Sequence, residues 1–340
     1  MRNTKIIATL GPSTDDLNIL KNMILSGMDI ARINMSHGNH ATNATRIKNV
    51  QDIAKKMNKR VDIFVDLQGP KIRIGKFINK KINLKINSKL ILDPDLEKNA
   101  GTDKAVYVSY PELYKDLNLQ DILLLDDGKI VLQVELIRGN KIFCVAKNQG
   151  ILSDNKGINL EGGGLSVNAI TAKDKEDVFF TSQFNIDFFG LSFVKTAADI
   201  NNIRNIIKYA KSHAKVFAKI ETKSSIINLE EITKAADGLM VARGDLGVEL
   251  GLVKLPALQK KITQVAKNNN KPVIIATQMM ESMIENSMPT RAEVMDVANA
   301  VIDGARGVVL SSETAMGRHP ALVIKYVDEI CLEAEKIKIV

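Results

Sequence analysis

Residues Lys271–Gly317, with the sequence KPVIIATQMMESMIENSMPTRAEVMDVANAVIDGARGVVLSSETAMG, form one strand–helix–strand pattern. Short apolar runs at Pro272–Ala276 and Gly307–Leu310 predict two strands, and the apolar spacing over Arg291–Ile302 predicts a helix between them. Neither run alternates with polar residues, as expected for parallel strands whose two faces are both covered by helices. This stretch therefore predicts an α/β fold built on a parallel sheet.

The same alternation of strands and helices extends along most of the chain. It predicts further strands at Lys5–Leu10, Asp29–Asn34, Val61–Asp66, Asp187–Ser192, Lys215–Ile220 and Gly238–Ala242. It predicts further helices at Asp15–Ser26, Ala41–Met57, Ala197–Ser212, Ser225–Ala235, Leu255–Asn268 and Pro320–Ile337. Eight such strands alternating with helices are typical of a (β/α)8 TIM barrel.

The helical period disappears between residues 74 and 160. Apolar and polar residues alternate there instead, as at Lys81–Ile86, Lys129–Glu135 and Lys141–Val145, with turn residues between them. We expect a small antiparallel β domain, inserted after the third strand, that leaves and re-enters the barrel at one loop and can move as a lid. The expected domains are 1–73 for the first part of the barrel, 74–160 for the inserted β-barrel lid (B) domain, and 161–340 for the second part.

The chain carries an excess of positive charge. Its 340 residues include 47 Lys+Arg and 39 Asp+Glu, which gives a net charge of +8 and a pI near 9.2. Such an excess suits either nucleic acid or an anionic small molecule. A nucleic-acid tail is disfavoured, because no basic run is longer than two residues, Trp is absent and only 4% of the residues are aromatic.

The cysteines and the lengths of the apolar runs bear on the cellular location. Cys144 and Cys331 lie far apart among apolar neighbours, which favours two buried reduced thiols over a disulfide. The first apolar run, Ile6–Leu10, is too short for a signal peptide, and nowhere do eighteen apolar residues follow one another. We expect a cytoplasmic protein that contacts no membrane.

Polar or charged residues stand at nearly every predicted strand end, where a barrel of this kind has its active site. In chain order they are Arg32, Asn34, Ser36, His37, Asp66, Lys71, Arg73, Ser192, Lys219, Glu221, Arg243, Gly244, Asp245, Thr277, Ser311 and Glu313. One polar strand end means little, but seven together indicate a functional site.

Three of these residues predict a metal site. Lys219 and Glu221 are two residues apart on a strand and therefore point to one side, either as a structural ion pair or towards a ligand. Asp245 at the next strand end supplies a second carboxylate, and two carboxylates without His or Cys suit Mg²⁺ or Mn²⁺. The segment Arg243–Gly247 is either an ordinary glycine turn or a cradle of backbone amides for an anion.

Basic side chains beside a divalent cation predict a phosphate group. Arg32, Lys71 and Arg73 provide them, although each alone is equally well explained as a solvated surface charge. The residues therefore predict metal-assisted phosphoryl transfer on a barrel with a β lid. The chain has no glycine-rich P-loop to hold the phosphates.

The segment Lys271–Gly317 resembles the corresponding segment of the pyruvate kinase family, and four further blocks match in the same order. They are ARINMSHG at 31–38, DLQGPKIR at 66–73, KIET at 219–222 and DGLMVARGDLGVEL at 237–250. The resemblance runs from residue 5 to residue 340 and includes the inserted β domain. It implies transfer of the phosphoryl group of phosphoenolpyruvate to ADP, giving pyruvate and ATP, as a step of glycolysis.

The resemblance also implies roles for the substrate-binding and metal-binding residues. Glu221 and Asp245 would hold the divalent metal, and Lys219 would neutralise charge on the group in transfer. Arg32 would bind the phosphate of phosphoenolpyruvate, and the amides of Gly244 and Asp245 would bind its carboxylate.

The remaining implied roles concern proton transfer and the nucleotide. Thr277 lies where the family protonates the enolate, through water, and Ser311 and Glu313 lie where a proton relay is proposed. The positions that match nucleotide-binding residues are Arg73, His37 and Lys156.

The chain departs from the family at its monovalent-cation site. Many members bind K⁺ through residues matching Asn34, Ser36, Asp66 and a threonine, where this chain has Leu67, and carry a glutamate where this chain has Lys71. The lysine ammonium can supply the monovalent charge itself, as in the K⁺-independent members of the family. We therefore expect that this protein does not need K⁺.

Two further departures are visible. The family commonly has glycine where this chain has Ser312, which is expected to perturb the relay slightly. The 340 residues also lack the usual C-terminal domain with its sugar-phosphate effector site and one subunit interface. The expectations that follow are no activation by fructose 1,6-bisphosphate at that site and a homo-oligomer smaller than the usual tetramer.

Two alternatives remain open from the sequence. A pyruvate-dependent barrel aldolase would use Lys219 in a Schiff base or the two carboxylates in a metal site, but it needs no nucleotide clamp. A non-catalytic or nucleic-acid-binding relative is suggested by the pI, but the expected catalytic positions are all filled.

Overall fold

The chain opens with three parallel strands separated by two helices, in a computed structural model that describes residues 2–337. The elements are β1 (Lys5–Thr9), α1 (Leu17–Leu25), β2 (Ile30–Asn34), α2 (His40–Lys56) and β3 (Asp62–Asp66). Side chains start both helices: the carboxylate of Asp16 accepts from the amides of Asn18 and Ile19, and Asn39 accepts from the amide of Thr42. These bonds satisfy amides that have no partner inside a helix.

A β-rich segment follows β3. Its strands are β4 (Lys81–Leu84), β5 (Lys89–Asp93), β6 (Ala105–Tyr107), β7 (Ile122–Leu125), β8 (Ile130–Arg138), β9 (Lys141–Ala146), β10 (Gly150–Ser153) and β11 (Ile158–Leu160). β10 pairs with β4, and the other six form a sheet in the order β11-β7-β8-β9-β5-β6. The pairing of β5 with β6 is parallel, whereas all the other named pairs in this segment are antiparallel. The alternating residues bury one face of each strand, so that the segment has a hydrophobic core of its own.

The rest of the chain alternates helices with five more parallel strands. The elements are α3 (Ala172–Thr181), β12 (Phe188–Leu191), α4 (Ala197–Tyr209), β13 (Lys215–Ile220), α5 (Lys223–Ile227), α6 (Leu229–Ala235), β14 (Gly238–Ala242), α7 (Arg243–Leu250), α8 (Leu255–Asn268), β15 (Val273–Ala276), α9 (Arg291–Ile302), β16 (Gly307–Leu310), α10 (Ser312–Ala315) and α11 (Pro320–Ala334). Eight strands close into a parallel barrel in the order β1-β16-β15-β14-β13-β12-β3-β2. The predicted (β/α)8 barrel with a β insert after its third strand is confirmed.

The helices differ from the sequence expectation at several points. The single helix predicted at Ser225–Ala235 is two helices, α5 and α6, which meet at Asn228. The helix α3 was not predicted, because Asp174 and Asp177 take two of the buried positions where an apolar pattern would be expected. The helix α7 begins at Arg243, so the interpretation of Arg243–Gly247 as a glycine turn was wrong. Strand β14 passes directly into this helix, which places the amides of its first turn at the carboxyl end of the barrel.

Aromatic and aliphatic side chains fill the interior of the barrel. Phe64 and Phe217 meet edge to face with ring centroids 5.7 Å apart, and Met240 and Ile274 pack beside them. A second, larger apolar layer lies between the strands and the surrounding helices. Over residues 2–337, no helix is long and apolar enough to cross a membrane.

Candidate active site

Arg32, Asp66 and Lys219 form a buried ionic chain at the carboxyl end of the barrel. Nε and Nη2 of Arg32 donate to Oδ2 of Asp66 at 2.8 and 2.5 Å, and its Nη1 donates to Oγ1 of Thr9 at 2.7 Å. On the other side, Nζ of Lys219 lies 3.2 Å from Oδ1 of Asp66. One carboxylate that is 1% exposed therefore holds two cations that come from different strands.

The charges of Arg32, Asp66 and Lys219 stabilise one another. Burial raises the pKa of Asp66, but the charges of Lys219 and Arg32 outweigh burial and hold the pKa below its ordinary value. Burial lowers the pKa of Lys219, but Asp66 and Glu221 outweigh that effect and raise the pKa. Lys219 is therefore a protonated ammonium at neutral pH.

Glu221 has one satisfied and one free oxygen. Its Oε1 accepts from the amide of Phe193 at 2.6 Å, and Oε2 lies 3.7 Å from Nζ of Lys219 without a hydrogen bond from any described residue. Burial raises the pKa of Glu221 to about 7, Lys219 acts against this shift, and Asp245 adds to it. A buried carboxylate oxygen without a donor is costly unless a cation binds it.

Asp245 lies in the first turn of α7. Its Oδ1 accepts from Nζ of Lys71 at 2.9 Å, in a pair whose two side chains are 22% and 21% exposed. Lys71 belongs to the segment that leads from β3 into the β insert. The structure thus places Lys71 on a predicted metal ligand. The other three residues of the predicted monovalent-cation region bind elsewhere: Asn34 accepts from the amide of Ser36, and Asp66 binds Arg32.

Two carboxylates at neighbouring strand ends fit a hard divalent cation. Over residues 2–337, no group of three His, Cys, Asp or Glu side chains is placed to hold a metal ion. A cation here would take Glu221 and Asp245 from the protein and its other oxygens from substrate and water, which is the usual arrangement for Mg²⁺ in phosphate chemistry. The free Oε2 of Glu221 supports this fit.

Thr277 follows β15 in a left-handed conformation, with φ of 75°. Its Oγ1 donates to the carbonyl of Ala276 at 2.6 Å and accepts from the amide of Gly244 at 3.0 Å. The guanidinium of Arg243 binds the carbonyl of Thr277 and forms an ion pair with Asp296 on α9 at 2.8 Å. The segment after β15 is therefore held by Arg243 and Gly244. These are the first residues of α7, which directly follows the neighbouring strand β14.

Glu313 is a buried residue of α10, the short helix that follows β16. Its Oε2 accepts from the amide of Ser311 at 2.6 Å, and its Oε1 accepts from the amide of Met280 at 3.2 Å. The predicted relay residues Ser311 and Glu313 are thus adjacent, and the carboxylate joins the loops that follow β15 and β16.

The predicted nucleotide-binding residues lie near the insert. His37 follows β2, and burial together with the charges of Arg73 and Arg32 lowers its pKa. Arg73 donates to the carbonyl of Asn155 at 2.9 Å. The side chain of Lys156 binds within the insert, where its Nζ lies 2.8 Å from Oδ1 of Asp126. The backbone carbonyl of Lys156 accepts from the amide of Ile74, next to Arg73, at 2.9 Å.

The insert is held to the barrel at both connections by α7. The outgoing connection contacts the first turn of the helix through Lys71 and Asp245. The returning connection contacts its last turn, where the amide of Gly162 donates to the carbonyl of Glu249 at 3.0 Å. Gly163 has φ of +73°, a left-handed backbone conformation that favours glycine, and a Cβ there would also meet Oε1 of Glu249.

Three residues of the site have no role in the sequence analysis. Thr9 binds Arg32, Arg243 binds the carbonyl of Thr277, and Oγ of Ser192 accepts from Nζ of Lys219 at 2.7 Å while donating to the carbonyl of Leu67 at 2.6 Å. Ser192 and Arg243 are among the polar strand ends seen in the sequence, but without a role there; Thr9 is the last residue of β1, and the same signal could have found it.

Buried cations and carboxylates at the mouth of a parallel barrel, next to an inserted β segment, suit the transfer of a phosphoryl group. Fold and site together define a barrel phosphotransferase. The family model described as "Pyruvate kinase, barrel domain" matches residues 1–324. The chain belongs to the pyruvate kinase family.

Individual relatives agree with the family model. The chain is 49% identical over 339 residues to "Pyruvate kinase" of Buchnera aphidicola subsp. Baizongia pistaciae, covering 99% of this chain and 71% of that protein. It is 47% identical over 340 residues to "Pyruvate kinase" of Haemophilus influenzae, with the same two coverages of 99% and 71%. It is 40% identical over 338 residues to "Pyruvate kinase" of Geobacillus stearothermophilus, covering 98% of this chain and 57% of that protein.

Proposed function

We propose that this chain transfers the phosphoryl group of phosphoenolpyruvate to ADP and releases pyruvate and ATP. The observation that carries the proposal is the buried ammonium of Lys219, which lies between the carboxylates of Asp66 and Glu221 at 3.2 and 3.7 Å. A permanent cation in a dry site stabilises negative charge on a phosphoryl group in transfer far better than it would in water.

Arg32 is the proposed phosphate-binding group of the substrate site. Its guanidinium is oriented by Asp66 and Thr9 before any substrate arrives, so little side-chain entropy is lost on binding. The amides of Gly244 and Asp245 at the start of α7 are the proposed partners of the substrate carboxylate. The amide of Gly244 would exchange its bond to Thr277 for one to the substrate.

Glu221 and Asp245 would hold a divalent cation, Mg²⁺ or Mn²⁺. When bound, this cation supplies positive charge to the phosphoryl oxygens. Glu221 is held in place for this role by the amide of Phe193, whereas Oδ1 of Asp245 accepts from Lys71 in the metal-free protein.

Thr277 is the proposed site of enolate protonation, through water, with Ser311 and Glu313 as the relay. The hydroxyl of Thr277 is fixed by the carbonyl of Ala276, which sets where a water molecule can bind it. Both oxygens of Glu313 accept backbone amides, and this orients the carboxylate that stands beside Ser311. Arg73, His37 and Lys156 are the proposed nucleotide-binding residues.

We further propose that turnover does not need K⁺. The ammonium of Lys71 lies at Asp245 and brings a positive charge to the site from the protein itself. The assay is turnover in buffers free of Na⁺ and K⁺, before and after K⁺ is added. The expected result is the same rate within twofold, and a many-fold rise on addition of K⁺ would contradict the proposal.

The test of the main proposal is a coupled assay with phosphoenolpyruvate, ADP and Mg²⁺ on the wild type, on Lys219→Met and on Lys254→Met. Lys254 is exposed, so its variant controls for the loss of one positive charge. We expect loss of turnover in Lys219→Met alone. Wild-type turnover as low as that of Lys219→Met would contradict the proposal.

The barrel aldolase makes a different prediction at the same residue. A Schiff base needs a neutral amine, whereas Asp66 and Glu221 raise the pKa of Lys219. Treatment with pyruvate and borohydride is therefore expected to leave Lys219 unmodified. A covalent adduct on Lys219 would favour the aldolase.

A further inference from the structure

The first turn of α3 touches two loops of the candidate active site. Nζ of Lys173 donates to the carbonyl of Met35 at 2.8 Å, in the loop that follows β2. Oδ1 of the next residue, Asp174, accepts from the amide of Gly69 at 3.0 Å, in the connection that leads from β3 into the insert. Two consecutive side chains thus hold the backbones of two loops that come from different strands.

Asp174 is a buried carboxylate that is 0% exposed. Its Oδ2 accepts from the amide and the hydroxyl of Thr171 at 2.8 and 2.7 Å, which completes the cap of α3. Among residues 2–337 no cation pairs with it, so hydrogen bonds and the amino end of α3 compensate the charge. The bond to Gly69 is the one that leaves the cap, and the cap does not need it.

The backbone at Gly69 favours glycine. Its φ is +65°, and a Cβ there would lie 2.7 Å from Cβ of Ser192. The amide that Asp174 holds is therefore part of a backbone that packs directly against the residue bound to Lys219. Two residues further on, Lys71 contacts Asp245.

Lys173 is held by a second buried acid. Its Nζ lies 2.6 Å from Oδ2 of Asp177, and Oδ1 of Asp177 lies 2.7 Å from Nε2 of His40. The ring of His40 stacks on Phe180 with centroids 4.1 Å apart. The ammonium of Lys173 is thus held by the carboxylate of Asp177 and by the carbonyl of Met35. Met35 lies between Asn34 and Ser36, in the loop that carries His37.

We propose that Lys173 and Asp174 are positioning residues, which set the loop after β2 and the outgoing hinge of the insert for phosphate and nucleotide binding. The polypeptide leaves the insert after β11 and next forms α3. The contacts of Lys173 and Asp174, here called the clamp, therefore join the segment that follows the insert to the connection that leads into it. The inference rests on the proposed phosphotransfer, because it assigns the clamp to the loops that carry His37 and Arg73.

The variant Asp174→Asn removes the hydrogen bond from the amide of Gly69 while the cap of α3 can remain. An asparagine can keep its oxygen on Thr171, but its amide group then faces the amide of Gly69, so two donors meet. The matched control is Asp199→Asn, since Asp199 has the same capping position in α4 and, within residues 2–337, its Oδ2 accepts only from Lys195 and Thr196. Thermal unfolding of both variants measures the cost to the caps.

The first readout is amide hydrogen exchange over residues 66–73, which does not depend on activity. We expect exchange there to be about tenfold faster in Asp174→Asn than in the wild type, and unchanged in Asp199→Asn. Equal exchange in both variants would overturn the clamp. If the wild type lacks phosphotransfer, the proposed function fails and this readout still decides whether the clamp exists.

The second readout is the division of the effect between KM and kcat. We expect Asp174→Asn to raise the KM for ADP about five- to tenfold and to lower kcat less than twofold, because binding loops are displaced while Lys219 stays in place. A fall in kcat at unchanged KM, or no change in either, would overturn the assignment.

Lys173 provides a test that does not depend on the folding of a buried variant, because its side chain is 46% exposed. Lys173→Met is expected to raise the KM for ADP several-fold, Lys173→Arg to restore most of the affinity, and Lys175→Met, on the exposed side of the same turn, to match the wild type. Equal kinetics in Lys173→Met and Lys175→Met would overturn the role of Lys173.

Discussion

The ammonium of Lys71 lies 2.9 Å from Oδ1 of Asp245, so a cation of the protein binds a carboxylate that is proposed to bind a divalent metal. Lys71 belongs to the outgoing connection of the β insert, and Asp245 belongs to the first turn of α7. The pair therefore joins the metal site to the hinge of the insert. A divalent cation that bound Asp245 would compete with Lys71 for the carboxylate, and the connection that carries Lys71 would have to adjust.

Removing this internal cation is expected to strengthen metal binding. In Lys71→Met the oxygen of Asp245 is free and a positive charge next to the metal site is gone, so we expect Mn²⁺ to bind roughly tenfold more tightly in the absence of substrates. Titration with Mn²⁺ followed by electron paramagnetic resonance measures this. Lys254→Met, which removes an exposed charge, is expected to bind Mn²⁺ as the wild type does, and unchanged affinity in Lys71→Met would refute the competition.

Metal affinity is expected to depend on pH near neutrality. Burial raises the pKa of Glu221 to about 7 in the metal-free protein, against the effect of Lys219. The carboxylate binds metal only when it is deprotonated, so Mn²⁺ affinity should rise as the pH increases through about 7 and should level off above that. In Glu221→Gln this rise should be absent. An affinity that stays constant from pH 6 to pH 8 in the wild type would contradict the prediction.

Ser192 is expected to position Lys219. Its hydroxyl links Nζ of Lys219 to the carbonyl of Leu67, with bonds of 2.7 and 2.6 Å. Loss of this link in Ser192→Ala leaves the ammonium freer to move, so we expect kcat to fall about tenfold and the KM for phosphoenolpyruvate to change little. The control is Ser182→Ala, because the buried Oγ of Ser182 has no hydrogen-bond partner among the described residues. Equal kcat values in the two variants would exclude the positioning role.

The barrel was predictable because most of its strands are short, largely apolar runs. Each apolar run must be buried on both faces, so the sequence shows the strand directly, and β13 and β14 begin and end where the runs do. The rule that strand ends meet at one edge of the barrel placed Arg32, Asp66 and Lys219 in one candidate site, but it did not predict that Asp66 pairs with both cations.

The contacts between helices and loops were not predictable in the same way. Asp174 and Asp177 are fully buried polar residues, so α3 lacks the apolar stripe that identifies other helices. The pairing of Lys71 with Asp245 joins residues 174 positions apart in the sequence, and nothing local distinguishes this lysine from a surface lysine. Such contacts depend on how the insert lies on the barrel, which composition and spacing do not describe.

The cap of α9 is expected to make stability depend on acid pH. Glu293 accepts from the amides of Ser282 and Thr290 at 2.7 and 2.8 Å and from both of their hydroxyls, so it fixes the loop that follows Thr277. Burial raises the pKa of Glu293, but the bonds from Ser282 and Thr290 outweigh burial and lower the pKa below its ordinary value of 4.5.

A carboxyl group with a lowered pKa stabilises the folded protein above the pKa of the unfolded chain, and this stabilisation is lost as the pH falls through the folded value. Glu293→Gln should therefore lower the free energy of unfolding by about 1–2 kcal/mol at pH 7. The difference from the wild type should shrink below pH 4.5. Denaturant unfolding between pH 3 and pH 7 measures it, with Glu281→Gln, an exposed glutamate in the same loop, as the control. A difference that is the same at pH 3 as at pH 7 would show that the lost hydrogen bonds do not depend on the charge of Glu293.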